Sequence, residues 1–440
     1  MGVIAGHSFP DYDTTFALIW GHDLAHGHAI DYGIPLRPGG HPLTTAVATV
    51  LSVLGRDGAA ETMRWLVLLG AGALVAGVFR LGQALFGTLV GALAAVILFT
   101  RTPVWGFSLL GYFDVPTATL VVWAAVLEVR RPRRGASVLV LLALAGLVRP
   151  EPWLMGGAYW IWLGWGGSWV RALRLAPLVV AGPVLWIAWD AVTSHTYLGS
   201  IHTKAGAPVG PSAGGHGLGD APRATTRFLG GFVRPPEAVA AAIGVALALA
   251  RVRERPRVLI PLGVLAVNLL GFALIAKSGG ALEQRYLFPA AAMLVLFAAY
   301  AALGWLDDPD ARMRPAWRIA GVLCAVAFLA YGPVDANRLN DLRTRVVAAN
   351  GAYSQLRDVV TRPAAACAFA GRVQVPDARL RPFVAYWAGE PLERVPYEPP
   401  AGSAIVATSP LAKEVSSKSL PPRSTKRKGT WRLDTSCARQ

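Results

Sequence analysis

Residues 85–123, LFGTLVGALAAVILFTRTPVWGFSLLGYFDVPTATLVVW, contain two long apolar runs joined by a short turn. Such runs recur along the chain, in which 54% of the 440 residues are hydrophobic and 15% are charged. Several runs are shorter than the roughly 20 residues of an upright transmembrane helix. The composition therefore predicts a membrane all-α protein, a bundle of about 10–11 transmembrane helices. The ten clearest runs are residues 63–79, 89–104, 113–129, 137–148, 153–165, 175–189, 237–250, 258–276, 286–306 and 319–332.

The formal net charge is +16, and the basic residues concentrate in every second connection between the runs. Because positive charge is retained on the cytoplasmic side, these connections are expected to be cytoplasmic. Residues 1–61, the loop at 190–236 and the chain after about 333 are then extracytoplasmic. This distribution accounts for the charge without nucleic acid. The connections carry Arg80, Arg130, Arg131, Arg133, Arg134, Arg171, Arg174, Arg251, Arg253, Arg255, Arg257, Arg312, Arg314 and Arg318.

Three regions follow from this topology. Residues 1–61 form a first outer loop with two interfacial helices, at 14–26 with Asp13 as N-cap and at 41–55. Residues 62–333 form the membrane domain, in which the outer loop 190–236 shows no helical periodicity. An outer N-terminus also leads us to expect a further span upstream of residue 1.

Residues 334–440 are expected to form a small extracytoplasmic α/β tail. A helix at 334–362 precedes the strand-like pieces RVQVP, FVAYWA, SAIVATS and TWRLDTSC. Of the three cysteines, Cys324 lies in a span, whereas Cys367 and Cys437 lie in this tail. We expect these two to form a disulfide, because an extracytoplasmic compartment is oxidising.

The first outer loop carries two carboxylates at i, i+2, Asp11 and Asp13. At a membrane surface such a group can deprotonate an acceptor hydroxyl or hold a divalent cation. Capping of a helix is the alternative for Asp13. All eight histidines fall in two outer segments, which indicates either one shared site or simple avoidance of lipid. They are His7, His22, His26, His28, His41, His195, His202 and His216.

Ionisable residues at the outer ends of spans are the other candidates. Asp114 indicates a lined cavity or, alternatively, a helix N-cap before Pro116. Arg149 and Glu151 could pair with each other or hold a donor. Arg285 is the best candidate for binding a phosphate, because a guanidinium fork matches phosphate oxygens, although snorkelling to the interface competes with that role. His202 and Lys204 could extend the same anion site, and His41 and Tyr286 complete the predicted substrate-binding set.

Several segments together resemble the GT-C superfamily of membrane glycosyltransferases, over residues 9–333. The resemblance implies transfer of a sugar, mannosyltransferase-like, from a polyprenyl-phosphate donor to a glycan, lipid or protein acceptor outside the plasma (inner) membrane, in the cell envelope. It implies inversion at the sugar carbon and no certain cofactor, with a divalent cation possible. The segments are DYDTTF (11–16), AHGHAIDYG (25–33), RPGGHPL (37–43), residues 85–123, LVRPEPWL (147–154) and EQRYLFP (283–289).

The superfamily places its catalytic Asp in the first outer loop, just after the first span. This position maps to Asp11 or Asp13, and the distance to Phe16 favours Asp13. The chain departs from the pattern because the preceding span is lacking and the following acidic residue is displaced, so the choice between the two stays open. A transporter or flippase is the main rival. It would be expected to show paired repeats and ionisable residues at the midplane, whereas those of this chain lie toward the outer ends.

Overall fold

The computed structural model describes residues 9–202, 215, 217–307, 314–397, 402–417 and 430–435. Within these ranges the chain forms helices almost throughout and one small sheet. The helices of the N-terminal half are α1 Tyr12–Ala25, α2 Pro42–Leu51, α3 Gly55–Phe86, α4 Thr88–Phe99, α5 Thr102–Leu109, α6 Asp114–Arg130, α7 Ala136–Val148, α8 Pro152–Trp165 and α9 Trp169–Ser194. The later helices are α10 Gly199–His202, α11 Ala221–Phe232, α12 Pro235–Ala250, α13 Leu259–Lys277, α14 Phe288–Leu303, α15 Arg314–Val360, α16 Ala365–Phe369, α17 Arg381–Ala388 and α18 Pro410–Ser417.

Every predicted transmembrane run coincides with a helix, and the predicted fold class is confirmed. Over the described ranges, five helical stretches are long and apolar enough to cross a bilayer, or up to seven if each of two bent helix pairs is one span. Helix α14 is the centre of the bundle, since all but two of its side chains are buried. It packs against α4, α12, α13 and α15. The five stretches are Pro42–Phe86, Trp169–Ser194, Pro256–Lys277, Gln284–Asp307 and Arg314–Val360.

The predicted span at 89–104 is broken. Helices α4 and α5 meet at an angle of 57° around Arg101. Arg101 has extended backbone between the two helices, and Pro103 in the first turn of α5 has no N–H to continue the α4 hydrogen-bond pattern. The Arg101 side chain is buried rather than facing lipid. The prediction of one continuous span was therefore wrong.

Helix α11 was also missed, because residues 190–236 were expected to be irregular. Its buried residues Ala221, Ala224, Phe228 and Phe232 are spaced three or four apart, and they give the helix one apolar side. A bend of 105° separates α11 from α12. The surrounding glycine and proline residues obscured a 12-residue helix that tertiary packing stabilises.

A buried ion network links both bends to α15. Arg101 Nη1 lies 2.9 Å from Glu237 Oε2, and Arg101 Nη2 lies 2.6 Å from Asp335 Oδ2. Arg234 Nε lies 2.8 Å from the other oxygen of Asp335. Two guanidinium groups and two carboxylates thus balance in charge, which a buried network requires. The network fixes α4, α12 and α15 relative to one another.

Helix α15 is a single helix of 47 residues. It passes residue 333, where the sequence suggests the boundary between the membrane domain and the tail, so the predicted helix at 334–362 is the continuation of the last span. The helix includes Pro333 without ending there.

The tail contains a three-stranded sheet of β1 Val373–Gln374, β2 Ser403–Ala407 and β3 Trp431–Asp434. Strand β1 is parallel to β2, with Val373 opposite Ser403, and β3 is antiparallel to β2, with Leu433 opposite Ile405. The segment FVAYWA is helix α17, so its prediction as a strand was wrong. Five consecutive residues from Phe383 to Trp387 are buried, and helical packing between α1 and α15 covers them all. Cys367 is disulfide-bonded and Cys324 is free, while Cys437 lies outside the described residues.

Helix α1 connects the tail to the membrane domain. Its Phe16 and Trp20 side chains are buried, and the ring of Phe9, just before the helix, lies 5.2 Å from that of Phe383. Asp11 is the N-cap and accepts a 3.3 Å hydrogen bond from the backbone N–H of Asp13. The prediction of Asp13 as N-cap was therefore wrong by two residues, and Asp13 lies in the first turn with its carboxylate available for other contacts.

Candidate active site

Four chain segments converge where α1, α6 and α14 begin and α7 ends. Asp13 lies in the first turn of α1 and Asp114 in the first turn of α6. Arg149 follows α7 in extended backbone, and Arg285 lies in a 3-10 turn, Gln284–Leu287, directly before α14. The four side chains line one small cavity together with Thr14, His41, Thr44, Tyr112, Phe113 and Val148.

Arg285 is surrounded by carboxylates. Its Nη1 atom lies 2.5 Å from Asp13 Oδ2 and 3.6 Å from Asp114 Oδ2, and its Nε atom lies 2.6 Å from Glu283 Oε2. The guanidinium also lies over the ring of Tyr112, 4.8 Å from its centroid. Arg285 is buried, so it holds its position through these contacts. The alternative of snorkelling to the lipid interface is wrong.

Arg149 forms a second cluster next to the first. It donates from Nε and Nη2 to the two oxygens of Glu151, at 3.1 and 2.6 Å, in the fork geometry of strong guanidinium–carboxylate pairs. Its Nη1 atom donates to Asp114 Oδ1 at 2.7 Å. The guanidinium also lies 3.9 Å from the ring centroid of Tyr286. Asp114 therefore connects the two arginines, and the alternative of Asp114 as an N-cap is wrong because Phe113 occupies that position.

The charges of the two clusters do not cancel. Asp13, Asp114, Glu151 and Glu283 face Arg149 and Arg285, and this gives a formal net charge of −2 if all are ionised. Like charges at short distance are costly in a medium of low dielectric constant. Such a site favours a cation, and it can accept an anion only if a carboxylate moves away.

The segment that carries Arg285 is held by a side chain of α13 and by a backbone carbonyl of α11. The Asn268 amide of α13 donates to the carbonyl oxygen of Tyr286 and accepts from the backbone N–H of Ala290, both at 3.1 Å. Gln284 donates to the carbonyl oxygen of Phe228 on α11 at 2.9 Å. The 3-10 turn is thus fixed on both sides, and Arg285 is preorganised toward the cavity.

The start of α1 is equally constrained. The backbone N–H of Asp11 donates to the carbonyl oxygen of Leu110 at 2.7 Å, and the Thr14 hydroxyl donates to that of Gly111 at 2.8 Å. These bonds attach α1 to the turn between α5 and α6. Asp13 is therefore placed against Asp114 and Arg285 by backbone contacts and not only by its own ion pair.

Two tyrosines at the site remain neutral. Burial raises the pKa of the Tyr12 phenol, and the nearby Asp13 carboxylate raises it further. Burial likewise raises the pKa of Tyr112, with Asp11 adding to the effect. Neither phenol can act as a base near neutral pH, since each keeps its proton. This leaves the carboxylates and the His41 imidazole as the candidate proton acceptors.

The structure brings together most of the predicted site residues. Asp13, His41, Asp114, Arg149 and Arg285 line one cavity, and an adjoining cavity shares Asp114, Arg149 and Arg285 and adds Glu151, Tyr286 and Asn268. Asp11 lines neither cavity and caps α1 instead. Lys204 and the His202 side chain lie outside the described part of the chain.

The histidines do not gather at this site. Of those whose side chains the structure describes, only His41 lines the cavity. His22 and His26 stack with ring centroids 4.1 Å apart at the other end of α1, which is about 14 Å along the helix from Asp13. No three His, Cys, Asp or Glu side chains within the described ranges are grouped to hold a metal ion.

Three contributors were missed from the sequence: Tyr112, Glu283 and Asn268. One signal could have revealed Glu283. The sequence has R-P-E at 149–151 and E-Q-R at 283–285, so each arginine has a carboxylate two residues away, and both of these pairs form contacts. No such local signal marks Asn268, because its partners lie about 20 residues further along the chain.

The fold of this chain, a helical bundle with a small α/β tail, is similar to that of several solved structures. The chain is similar to the crystal structure of ArnT from Cupriavidus metallidurans bound to undecaprenyl phosphate. The identity is 14% and the TM-score 0.58, and the match covers 92% of this chain and 90% of that chain. The apo structure of the same ArnT matches at 16% identity and a TM-score of 0.53, over 91% of this chain and 89% of that one.

A third similar structure is the Archaeoglobus fulgidus oligosaccharyltransferase tethered to an acceptor peptide. It is 11% identical, with a TM-score of 0.50, and the match covers 90% of this chain and 61% of that chain. No family model matches the chain, and no curated protein matches it in sequence. At these identities the similarity shows the fold alone.

Proposed function

We propose that this protein is a membrane glycosyltransferase that moves a sugar from a polyprenyl-phosphate donor to an extracytoplasmic acceptor, with inversion. The observation that carries the proposal is the contact of Asp13 with Arg285 in a buried cavity of a GT-C fold. One carboxylate able to take a proton thus lies beside one guanidinium able to hold a phosphate. The similarity to ArnT, which was solved with undecaprenyl phosphate, supports a donor of the same class.

Asp13 is the better candidate for the base than Asp11. The Asp13 carboxylate lines the cavity, whereas the Asp11 carboxylate accepts a bond from the backbone of α1 and is 4% exposed. In the proposed reaction, the acceptor hydroxyl gives its proton to Asp13 as its oxygen attacks the anomeric carbon. The bond from that carbon to the phosphate oxygen breaks, and the polyprenyl phosphate leaves with the electron pair. A single displacement of this kind inverts the configuration.

The charge that develops on the leaving phosphate needs cationic partners in a site that excludes water. Arg285 and Arg149 are buried and lie on opposite sides of Asp114. We assign the phosphate to Arg285 and the positioning of Asp114 to Arg149. Lys204 remains a candidate second phosphate ligand, in line with its place in the sequence.

An apolar cavity offers a place for the isoprenoid chain. It has a volume of about 200 Å³ and lies between α6, α7, α8 and α13. Met155 lines both this cavity and the one that contains Arg149 and Arg285, so the two spaces adjoin. Along α6 the lining passes from Thr117 and Ala118 to Val121 and Ala125 at helical spacing. A lipid whose phosphate binds Arg285 would extend its chain in this direction.

We propose that the site and the tail lie on the extracytoplasmic side of the plasma (inner) membrane, and the arginine distribution supports this orientation. We propose the cell envelope as the location of the acceptor, which is a glycan, lipid or protein. A hexose such as mannose and a pentose are both compatible with the proposal.

The test is a transfer assay with purified protein in liposomes. A panel of polyprenyl-phosphate sugars, each labelled in the sugar, is incubated with a cell-envelope extract as the source of acceptor. We expect transfer from at least one donor by the wild type and a loss of about 10²-fold or more in Asp13→Asn. Asp57→Asn is the matched control, because Asp57 is exposed and pairs with Arg357 away from the cavity. Equal transfer by wild type and Asp13→Asn for every donor would overturn the proposal.

A further inference from the structure

The Arg285 guanidinium has no edge available for a phosphate fork as it stands. A guanidinium presents two hydrogen-bonding edges that face a planar or tetrahedral oxyanion, Nε with Nη2 and Nη1 with Nη2. Glu283 Oε2 blocks Nε at 2.6 Å, although without hydrogen-bond geometry, and Asp13 accepts a hydrogen bond from Nη1. A phosphate can therefore bind in fork geometry only by replacing one of these two carboxylates.

The geometry indicates which carboxylate moves. Asp13 and Arg285 line the same cavity, whereas Glu283 lines neither of the two cavities of the site. The Nη1 edge thus faces the space that a substrate would enter. Asp114 also approaches Nη1, but it is 3.6 Å away and is bonded to Arg149 at 2.7 Å. Asp114 consequently has a second cation to retain it, and Asp13 is the carboxylate that an entering phosphate meets.

The net charge of the site also favours release of Asp13 from Arg285 when a phosphate binds. The two clusters already carry a formal net charge of −2, and a phosphodiester would add one more negative charge. An entering phosphate is therefore expected to repel the Asp13 carboxylate from Arg285, which separates the two negative charges. The proton that Asp13 later takes from the acceptor hydroxyl leaves the total charge unchanged, because the negative charge passes to the leaving phosphate. A carboxylate bonded to a guanidinium is also a weaker base than one that has been released.

We propose that the donor phosphate and the Asp13 carboxylate compete for Arg285, so that binding of the donor releases the base. This inference rests on the proposed function. In the resting site Asp13 neutralises Arg285. The donor then replaces it on the Nη1 edge, and the released carboxylate accepts the proton of the acceptor hydroxyl. Deprotonation is thereby restricted to the complex that contains a donor.

The test measures the dissociation constant of undecaprenyl phosphate for the detergent-purified full chain. If Asp13 occupies the arginine in most molecules, its removal as a competitor tightens binding by the reciprocal of the competent fraction. We expect Asp13→Asn to bind at least about tenfold more tightly than the wild type while it loses sugar transfer. Asp13→Ser, a second neutral variant, covers the case in which Asn fails to fold. Asp57→Asn, with the same change of charge elsewhere, is expected to match the wild type.

Arg285→Ala distinguishes this inference from the function itself. If Arg285→Ala loses binding but the neutral Asp13 variants bind no more tightly than the wild type, the phosphate site stands and the competition is refuted. If Arg285→Ala binds as well as the wild type, the phosphate assignment fails and the competition fails with it. Tighter binding by Asp13→Asn and Asp57→Asn alike would reveal a general effect of charge and would also refute the competition.

Discussion

Asp114 accepts a 2.7 Å hydrogen bond from Arg149, and each side chain is 7% exposed. The bond joins the start of α6 to the end of α7, and it places the carboxylate between both arginines of the site. Loss of this one negative charge would leave two buried guanidinium groups with fewer partners, so the pair matters for stability as well as for chemistry.

We predict that Asp114→Asn lowers the free energy of unfolding. Removal of one partner of a buried pair costs roughly 3–5 kcal/mol, and the lower end applies here because Glu151 remains on Arg149. Thermal unfolding in detergent measures the change. Asp341→Asn is the control, since Asp341 forms an exposed pair with Arg345 at 3.7 Å. A melting temperature for Asp114→Asn equal to that of the control would contradict the prediction.

We predict that substitutions of Asp11 and of Asp13 have different effects on activity and stability. Asp13→Asn is expected to lose about 10²-fold or more in rate, as for removal of a general base, and also to lose some stability, because buried Arg285 loses one partner. Asp11→Asn should retain both rate and stability, because Asn is as good an N-cap as Asp, whereas Asp11→Ala should cost about 1 kcal/mol. Rates of sugar transfer and melting temperatures of the three variants decide this. Wild-type rate in Asp13→Asn, or a rate loss confined to Asp11→Asn, would reverse the assignment.

Substitutions of Arg285 test whether its guanidinium binds the donor phosphate through two hydrogen bonds. Arg285→Lys keeps the charge but loses the second donor edge, so it should remain partly active, and Arg285→Ala should be much less active. The measurement is the dependence of the transfer rate on donor concentration. Arg80→Ala is a control that removes an arginine far along α3 from the cavity. Unchanged donor dependence in Arg285→Ala would exclude a role in binding the phosphate.

The orientation follows from the arginine distribution and can be tested without any substrate. In a background without native cysteines, Pro132→Cys and Glu254→Cys should react with an impermeant thiol reagent only from the cytoplasmic side. A cysteine at position 57, in the first outer loop, should react only from outside. Labelling of position 254 from outside would overturn the orientation.

The tail disulfide stays a prediction for its second member. Cys367 is disulfide-bonded, and we expect Cys437 to be its partner. Closing a loop of this size stabilises the chain by roughly 4 kcal/mol in the chain-entropy model. Mass spectrometry of unreduced, alkylated and digested protein should find one cross-linked peptide pair. An alkylated Cys437 before reduction would show that Cys367 pairs otherwise.

The spans could be predicted because transfer into a bilayer depends mainly on local composition, which the sequence states directly. The bend at Arg101 and helix α11 could not, because both depend on partners more than 100 residues away or on packing against a distant helix. Helix α17 is a second case in which tertiary packing overrides the local sequence, which predicts a strand. Its aromatic residues have high strand propensity. Packing against both α1 and α15 stabilises the helix instead.

At the site, the sequence indicated the candidate groups and, among their contacts, only the pairing of Arg149 with Glu151. Acidic and basic residues at the outer ends of spans are conspicuous because they are costly in lipid, and so Asp114, Arg149 and Arg285 could be chosen. The shift of the N-cap from Asp13 to Asp11 depends on the bonds of α1 to Leu110 and Gly111. No local pattern in the loop encodes these bonds, although they decide which carboxylate faces the cavity.

The unbroken course of α15 has a mechanical consequence. A helix of 47 residues is a rod about 70 Å long, and it packs against α17 and β3 of the tail. Since α17 in turn packs against α1, any tilt of the rod within the bilayer would be transmitted to the helix that bears Asp13. We therefore expect the tail to couple the position of Asp13 to the tilt of α15. A chimera joined at residue 333, in which the two halves of α15 come from different proteins, is expected to lose this coupling.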